Sequence, residues 1–198
     1  MDQQQQIVEL FAEHIELASM SAAPLAEDLQ IAAQLVVQCF LAERKILCCG
    51  NGTGATMATL LCDYLVNGLE TERPAFPSVN LGAGGTLAAS ISKASNYPDI
   101  YARQIQAIGQ QGDVLIVIVE QEACEPLVRA ARAARDRDMT LLVLGSDNQG
   151  DITSLLTRDD LEIRLPTAGL ARTLEIQVMV VHGLCMLIDG ILFGIEDY

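Results

Sequence analysis

The feature that most constrains this 198-residue chain is a change of hydrophobic period at residue 45. Lys45-Ile46-Leu47-Cys48-Cys49 is a short apolar run that meets Gly50-Asn51-Gly52-Thr53-Gly54, and a helical pattern resumes from residue 55 to 69. Strand, glycine turn and helix in that order open a βαβ unit. Further apolar runs at 77–81, 114–119, 140–144 and 161–165 read as four more strands. They are continuous rather than alternating, as strands of a parallel sheet are when helices cover both faces. Helical stretches are predicted near 99–108, 124–135 and 152–156, with a long final helix over about 169–193.

Upstream, Ile7, Leu10, Phe11, Ile15 and Leu17 recur at helical spacing. Pro24 then separates this helix from a second one over about 25–41. The fold class that follows is α/β, a three-layer αβα sandwich around a five-stranded parallel sheet, with N-terminal helices. One domain over 1–198 is expected, with 1–42 as an N-terminal helical pair used in oligomerisation.

Composition narrows the partners. Half the residues are hydrophobic and Trp is absent, so the core must be aliphatic. Apolar surface left over in a domain of this size points to a subunit interface. The net charge of −14 should repel phosphate backbones, so no direct nucleic-acid binding is expected and any role near DNA runs through a protein. Met1-Asp2-Gln3-Gln4 has no basic region leading into an apolar run, and charge interrupts the longest apolar stretches. No membrane segment is therefore expected, and the compartment should be the cytoplasm. The six cysteines form no CxxC pair and sit mostly in apolar runs, where they read as small buried hydrophobes.

The glycine turn, Gly50, Asn51, Gly52 and Thr53, precedes a helix N-terminus, where backbone N–H groups and the helix dipole favour an anion. Glycine there equally serves a tight turn. The run is neither GxGxxG, since Ala55 holds the last position, nor a Walker loop, since no GK[ST] follows.

The wider pattern is more specific. The run 45–52, Glu72-Arg73-Pro74, the run 107–115 and Leu161-Glu162-Ile163-Arg164-Leu165-Pro166 resemble the phosphoheptose isomerase family of sugar isomerase (SIS) proteins across essentially the whole chain. The resemblance implies the SIS type of αβα fold and a homotetramer. It also implies one of two activities. One branch isomerises sedoheptulose 7-phosphate, often with zinc; the other holds the DnaA initiator-associating proteins (DiaA), tetrameric regulators of replication. The stretches 48–53 and 184–189, followed by Leu192 and Phe193, resemble the second branch.

Against the isomerase pattern, several positions have changed. The Ser/Thr-rich phosphate loop after the third strand is Val119-Glu120-Gln121-Glu122-Ala123-Cys124 in this chain. Like charges a few Å apart repel by about 1 kcal/mol in water and more when desolvated, so a phosphate dianion should be rejected. Glu120, Glu122 and Glu125 read as a solvated acidic turn capping the next helix, or as an acidic docking surface. The family's His and Glu one turn apart are Leu60 and Tyr64, its Gln is Leu174, its acidic turn residue is Ala94, and its last His is retained as His182. Asp63 lies about 100° round the helix from Tyr64 and does not substitute for it. His182 reads as a buried or cleft-lining residue. With Glu175, two turns earlier on the same face, it forms the remaining candidate acid–base pair. His14 reads as a surface or interface residue.

The leading expectation is a non-catalytic, DiaA-like protein that binds DnaA through a symmetric assembly and uses no cofactor, with Leu192 and Phe193 facing the partner or an oligomer contact. The alternatives are a phosphoheptose isomerase working through His182 and Glu175, in which case zinc enters, and a sugar-phosphate sensor binding at Gly50 to Thr53. Arg129, Arg132, Arg135 and Arg137 read as a solvated helix face.

Overall fold

In the computed structural model, which describes residues 2–146, 150–166 and 169–194, five parallel strands form one sheet. They are β1 (Ile46–Gly50), β2 (Ser78–Asn80), β3 (Val114–Ile118), β4 (Thr140–Gly145) and β5 (Leu161–Arg164), in the order β2-β1-β3-β4-β5. The central strands β1 and β3 are buried along their whole length. That is why the sequence shows no alternation there: both faces need apolar side chains. The αβα architecture read from the pattern is the one observed.

Side chains that alternate along each strand feed two cores. On one face Ile46, Cys48, Ile116, Leu142 and Ile163 pack under helices α1 (Gln3–Leu41), α2 (Thr53–Asn67) and α6 (Leu170–Phe193). On the other, Leu47, Cys49, Leu115, Val117 and Leu141 pack under α3 (Gly85–Ala94), α4 (Ala102–Ile108) and α5 (Glu125–Arg135). A 3-10 turn at Tyr97–Asp99 leads into α4, and another at Gly150–Leu155 occupies the predicted 152–156 helix.

Three expectations need correction. The N-terminal helical pair is one continuous helix, α1, 39 residues long with Pro24 inside it. Proline removes one backbone donor, but Pro24 is exposed, so water can serve the carbonyl left behind, while Leu25, Ala32, Ala33, Val36 and Val37 hold the helix against the core. Helix α3 lies where the sequence pattern predicts no element; Ile91 is its one buried residue, which leaves almost no periodic pattern. Finally, α6 is long and apolar enough to cross a membrane by length and composition. Here Ile176, Val180, Val181, Leu184, Cys185 and Ile188 line its buried side, against α1 and α2.

The chain outside the two cores is fixed by buried ions. Arg73 Nε donates to Asp189 Oδ1 at 2.7 Å, with side chains 2% and 0% exposed, and the same guanidinium donates to the carbonyls of Tyr64, Leu65 and Pro74 while lying 4.0 Å over the Phe76 ring. Five cysteines are buried and Cys124 is half-buried; all six are free thiols.

Candidate functional site

The strand order reverses between β1 and β3: the chain leaves β1 toward β2 and returns to the far side of β1 as β3. In open parallel sheets ligands bind in the crevice outside the carboxyl ends of the strands at such a switch point. Two segments meet there, the glycine turn after β1 and the loop after β3.

The turn is built by close approach. A Cβ on Gly54 would strike the carbonyl of Ile118, the last residue of β3, and Gly52 sits at φ +57°, a conformation that glycine adopts freely. Tyr101 Oη donates to the Gly50 carbonyl at 2.6 Å, and burial pushes this phenol's pKa up, so it stays a donor. Asn51 Nδ2 lies 3.4 Å from Tyr97 Oη. Gly54 N–H and Ala55 N–H donate back to Asn51 and Gly52 carbonyls within the turn.

No side chain within the turn caps α2. The cap comes from 67 residues away: Glu120 Oε1 accepts from Thr53 Oγ1 at 2.8 Å and from Thr53 N–H at 3.3 Å, and the carboxylate packs against the bare Cα of Gly52, where a Cβ would collide with it. Glu120 therefore does not join the solvated turn before α5, as the sequence suggested; it points back to the start of α2. Glu125 does sit in the first turn of α5, where it takes Arg129 Nε at 2.7 Å. Nothing in local spacing could have revealed the Glu120 contact, because it depends on the β1–β3 register, Gly50 opposite Ile118.

The positions around His182 form the second half of the site. His182 Nε2 lies 3.4 Å from Tyr64 Oη, with the rings 5.5 Å apart, so the histidine faces a phenol. Leu60, Tyr64 and Leu174 pack on the edge of the aliphatic core. Nearby, Gln177 is buried, donates from Nε2 to the Val119 carbonyl at 2.8 Å and thereby ties α6 to the start of the β3 loop.

Glu175 is not brought to His182. Its Oε2 lies 2.7 Å from His14 Nδ1 and 2.7 Å from Arg172, at ion-pair separation without aligned hydrogen-bond geometry. This cluster fastens α6 to the first half of α1, as does Arg172 donating to the Leu10 carbonyl. The candidate acid–base pair is thus split: Glu175 belongs to an α1–α6 contact, His182 to α2. Zinc, which the isomerase pattern implies, does not fit either. A phenol faces the remaining histidine, and among the described residues no three His, Cys, Asp or Glu side chains converge on a point that could hold a metal.

At the chain's end, Leu192 is half-buried against the core while Phe193 is 43% exposed and stacks on Phe76 with ring centres 5.9 Å apart. The exposed Ile191 lies beside them. Residues 195–198 lie outside the described residues. Of the arginines read as a solvated face, Arg132 and Arg137 are exposed, while the half-buried Arg129 pairs with Asp99 and the half-buried Arg135 with the buried Asp160 carboxylate.

Known proteins resemble this chain throughout. The SIS domain model matches residues 9–146. A phosphoheptose isomerase of Chromohalobacter salexigens is 38% identical over 194 residues, covering 98% of both chains. A DnaA initiator-associating protein DiaA of Yersinia pseudotuberculosis is 38% identical over 187 residues, covering 94% of this chain and 95% of that one. Among solved structures, a phosphoheptose isomerase from Francisella tularensis superposes with a TM-score of 0.89 at 28% identity, over 96% of this chain and 99% of its own. The chain belongs to the SIS domain family, within the group that holds the phosphoheptose isomerases and the DiaA proteins.

Proposed function

We propose that this protein is a non-catalytic SIS protein of the DiaA kind, which binds the replication initiator DnaA in the bacterial cytoplasm. The observation that carries the reading is the separation of Glu175 from His182, with Tyr64 in contact with the histidine. Aldose–ketose isomerisation moves a proton between adjacent carbons and needs a base and an acid on one bound sugar. A histidine facing a phenol, with Glu175 turned to α1, supplies no such pair.

Protein binding fits the outer surface. Phe193 and Ile191 are exposed at the end of α6, and they present aromatic and aliphatic area beside the buried Arg73–Asp189 pair. On α1, Ile7, Val8, Phe11 and Ile15 lie within an arc of about 100° and are all exposed. Farther along, α1 and α6 enclose an apolar groove of about 490 Å³ lined by Ala22, Ala26, Leu29, Met186, Leu187 and Ile191. Stripe and groove on one helix suit association of like copies, and a tetramer multiplies a weak site without new contacts.

The test is surface plasmon resonance on immobilised DnaA, with Phe193→Ala as the variant and an isomerase assay on sedoheptulose 7-phosphate alongside. Wild type should bind, Phe193→Ala should bind at least tenfold more weakly with an unchanged melting temperature, and no turnover should appear. Turnover without DnaA binding would establish the second reading, a phosphoheptose isomerase, which the 38% identity to such an enzyme favours.

A further inference from the structure

We infer that Glu120 is an internal anion: its carboxylate occupies the cradle at the start of α2, so the protein carries its own ligand where a phosphate would sit. The inference rests on the non-catalytic reading above and goes further, by naming the residue that closes the site and the chemical class it excludes.

Three observations meet at this one side chain. The first is the accounting of donors. Thr53 gives both its N–H and its hydroxyl to Glu120 Oε1, while the N–H groups of Gly54 and Ala55 are already bonded within the turn. An incoming anion finds the first-turn donors taken. The second is fit. The carboxylate lies over Gly52, whose positive φ and missing Cβ open the space that Glu120 fills. The third is placement. Glu120 comes from the loop after β3 and reaches the turn after β1, so it bridges the two segments that define the switch-point crevice.

The helix dipole and free N–H groups at a helix start attract negative charge from any source. A carboxylate delivered by the fold is present at high effective concentration and loses little freedom on docking. A free dianion must therefore displace it and then tolerate its charge nearby. The cradle is intact beneath: removing the Glu120 carboxylate frees the Thr53 N–H and hydroxyl at a helix start with no other side-chain cap.

The experiment uses the full chain and inorganic phosphate, followed by calorimetric titration and by melting temperature at matched ionic strength in chloride. Wild type should show no saturable heat and no shift. Glu120→Ala should melt lower than wild type in chloride, regain melting temperature as phosphate rises, and bind phosphate at least tenfold more tightly than wild type. Glu120→Gln, which keeps the volume and removes the charge, is the second variant should alanine fail to fold. Glu122→Ala, on the same loop and exposed, should show no gain in phosphate binding over wild type. Folded Glu120 variants with no gain in phosphate binding would overturn the inference. So would equal gains for Glu120→Ala and Glu122→Ala, which would reduce the effect to net charge. Neither result bears on DnaA binding, whose absence would overturn the functional reading and leave the Glu120 result standing.

Discussion

On the α4–α5 side of the sheet the outermost side chains are charged and paired, whereas on the α1–α6 side they are apolar and exposed. Arg129 bridges Asp99 and Glu125, and Arg135 reaches Asp160. Those pairs turn α5 into a surface that ends in water. On the opposite side Phe11, Ile15, Met179, Leu187 and Ile191 face outward, and an ion pair, Arg73 with Asp189, is buried near the end of α6. Charge on one side finishes the domain; on the other it anchors a helix from within and leaves apolar side chains outside. Under the proposed function, the two halves of one fold divide stability and association between them.

The contrast breaks most severely at Arg73. Arg73→Ala strands a buried Asp189 carboxylate, which costs about 3–5 kcal/mol; urea denaturation should show a loss of unfolding free energy of that size, and a loss under about 1 kcal/mol would mean that the α6 side does not depend on this anchor.

On the other side, Asp160 accepts from Leu141 N–H at 2.7 Å, Thr157 N–H at 2.7 Å and Arg135. Burial opposes its ionisation, but these donors prevail and its pKa falls below the ordinary carboxylate value. A lowered native pKa means stability that is present above the unfolded value near 3.9 and is lost as pH falls through the native one. Asp160→Asn should cost about 1–3 kcal/mol at neutral pH and flatten the acid side of the stability curve; an unchanged acid limb would deny Asp160 that part.

Association should move without stability. Phe11→Asp with Ile15→Asp should reduce the mass seen by light scattering to that of one chain while shifting the unfolding free energy by no more than about 0.5 kcal/mol. Retention of the assembly would remove α1 from the interface.

The smallest effect concerns thiols. Burial raises Cys39 to about 11 and Cys185 to about 12, and thiolate is the reactive form. With a thiol reagent at neutral pH the half-buried Cys124 should react first and the five buried cysteines only on unfolding. Fast labelling of Cys39 would show that α1 opens where it meets the sheet.

The strands were legible because β1 and β3 are buried on both faces and so leave uninterrupted apolar runs. α5 was legible because its alanines and arginines separate into buried and exposed sides. What stayed hidden had no local mark. α3 is almost wholly exposed, and Pro24 was read by the rule for helix interiors although it stands where water replaces the lost donor. His182 could be singled out in the sequence, but its neighbour Tyr64 is 118 residues away. Glu175 shares a helix face with His182 on paper, yet packing against α1 gave it to His14. Helical spacing constrains direction, and tertiary contact then chooses the partner.

The unbroken α1 has a mechanical consequence. At 1.5 Å per residue its 39 residues span about 58 Å. Pro24 divides it into an inner length bedded on the core and an outer arm of about 32 Å, seated by the His14–Glu175 cluster and by Arg172. Such an arm acts as a lever: a bend of about 10° at the proline carries its tip about 5 Å. A small tilt there translates the Ile7–Phe11 stripe by roughly the width of a side chain while the sheet stays fixed.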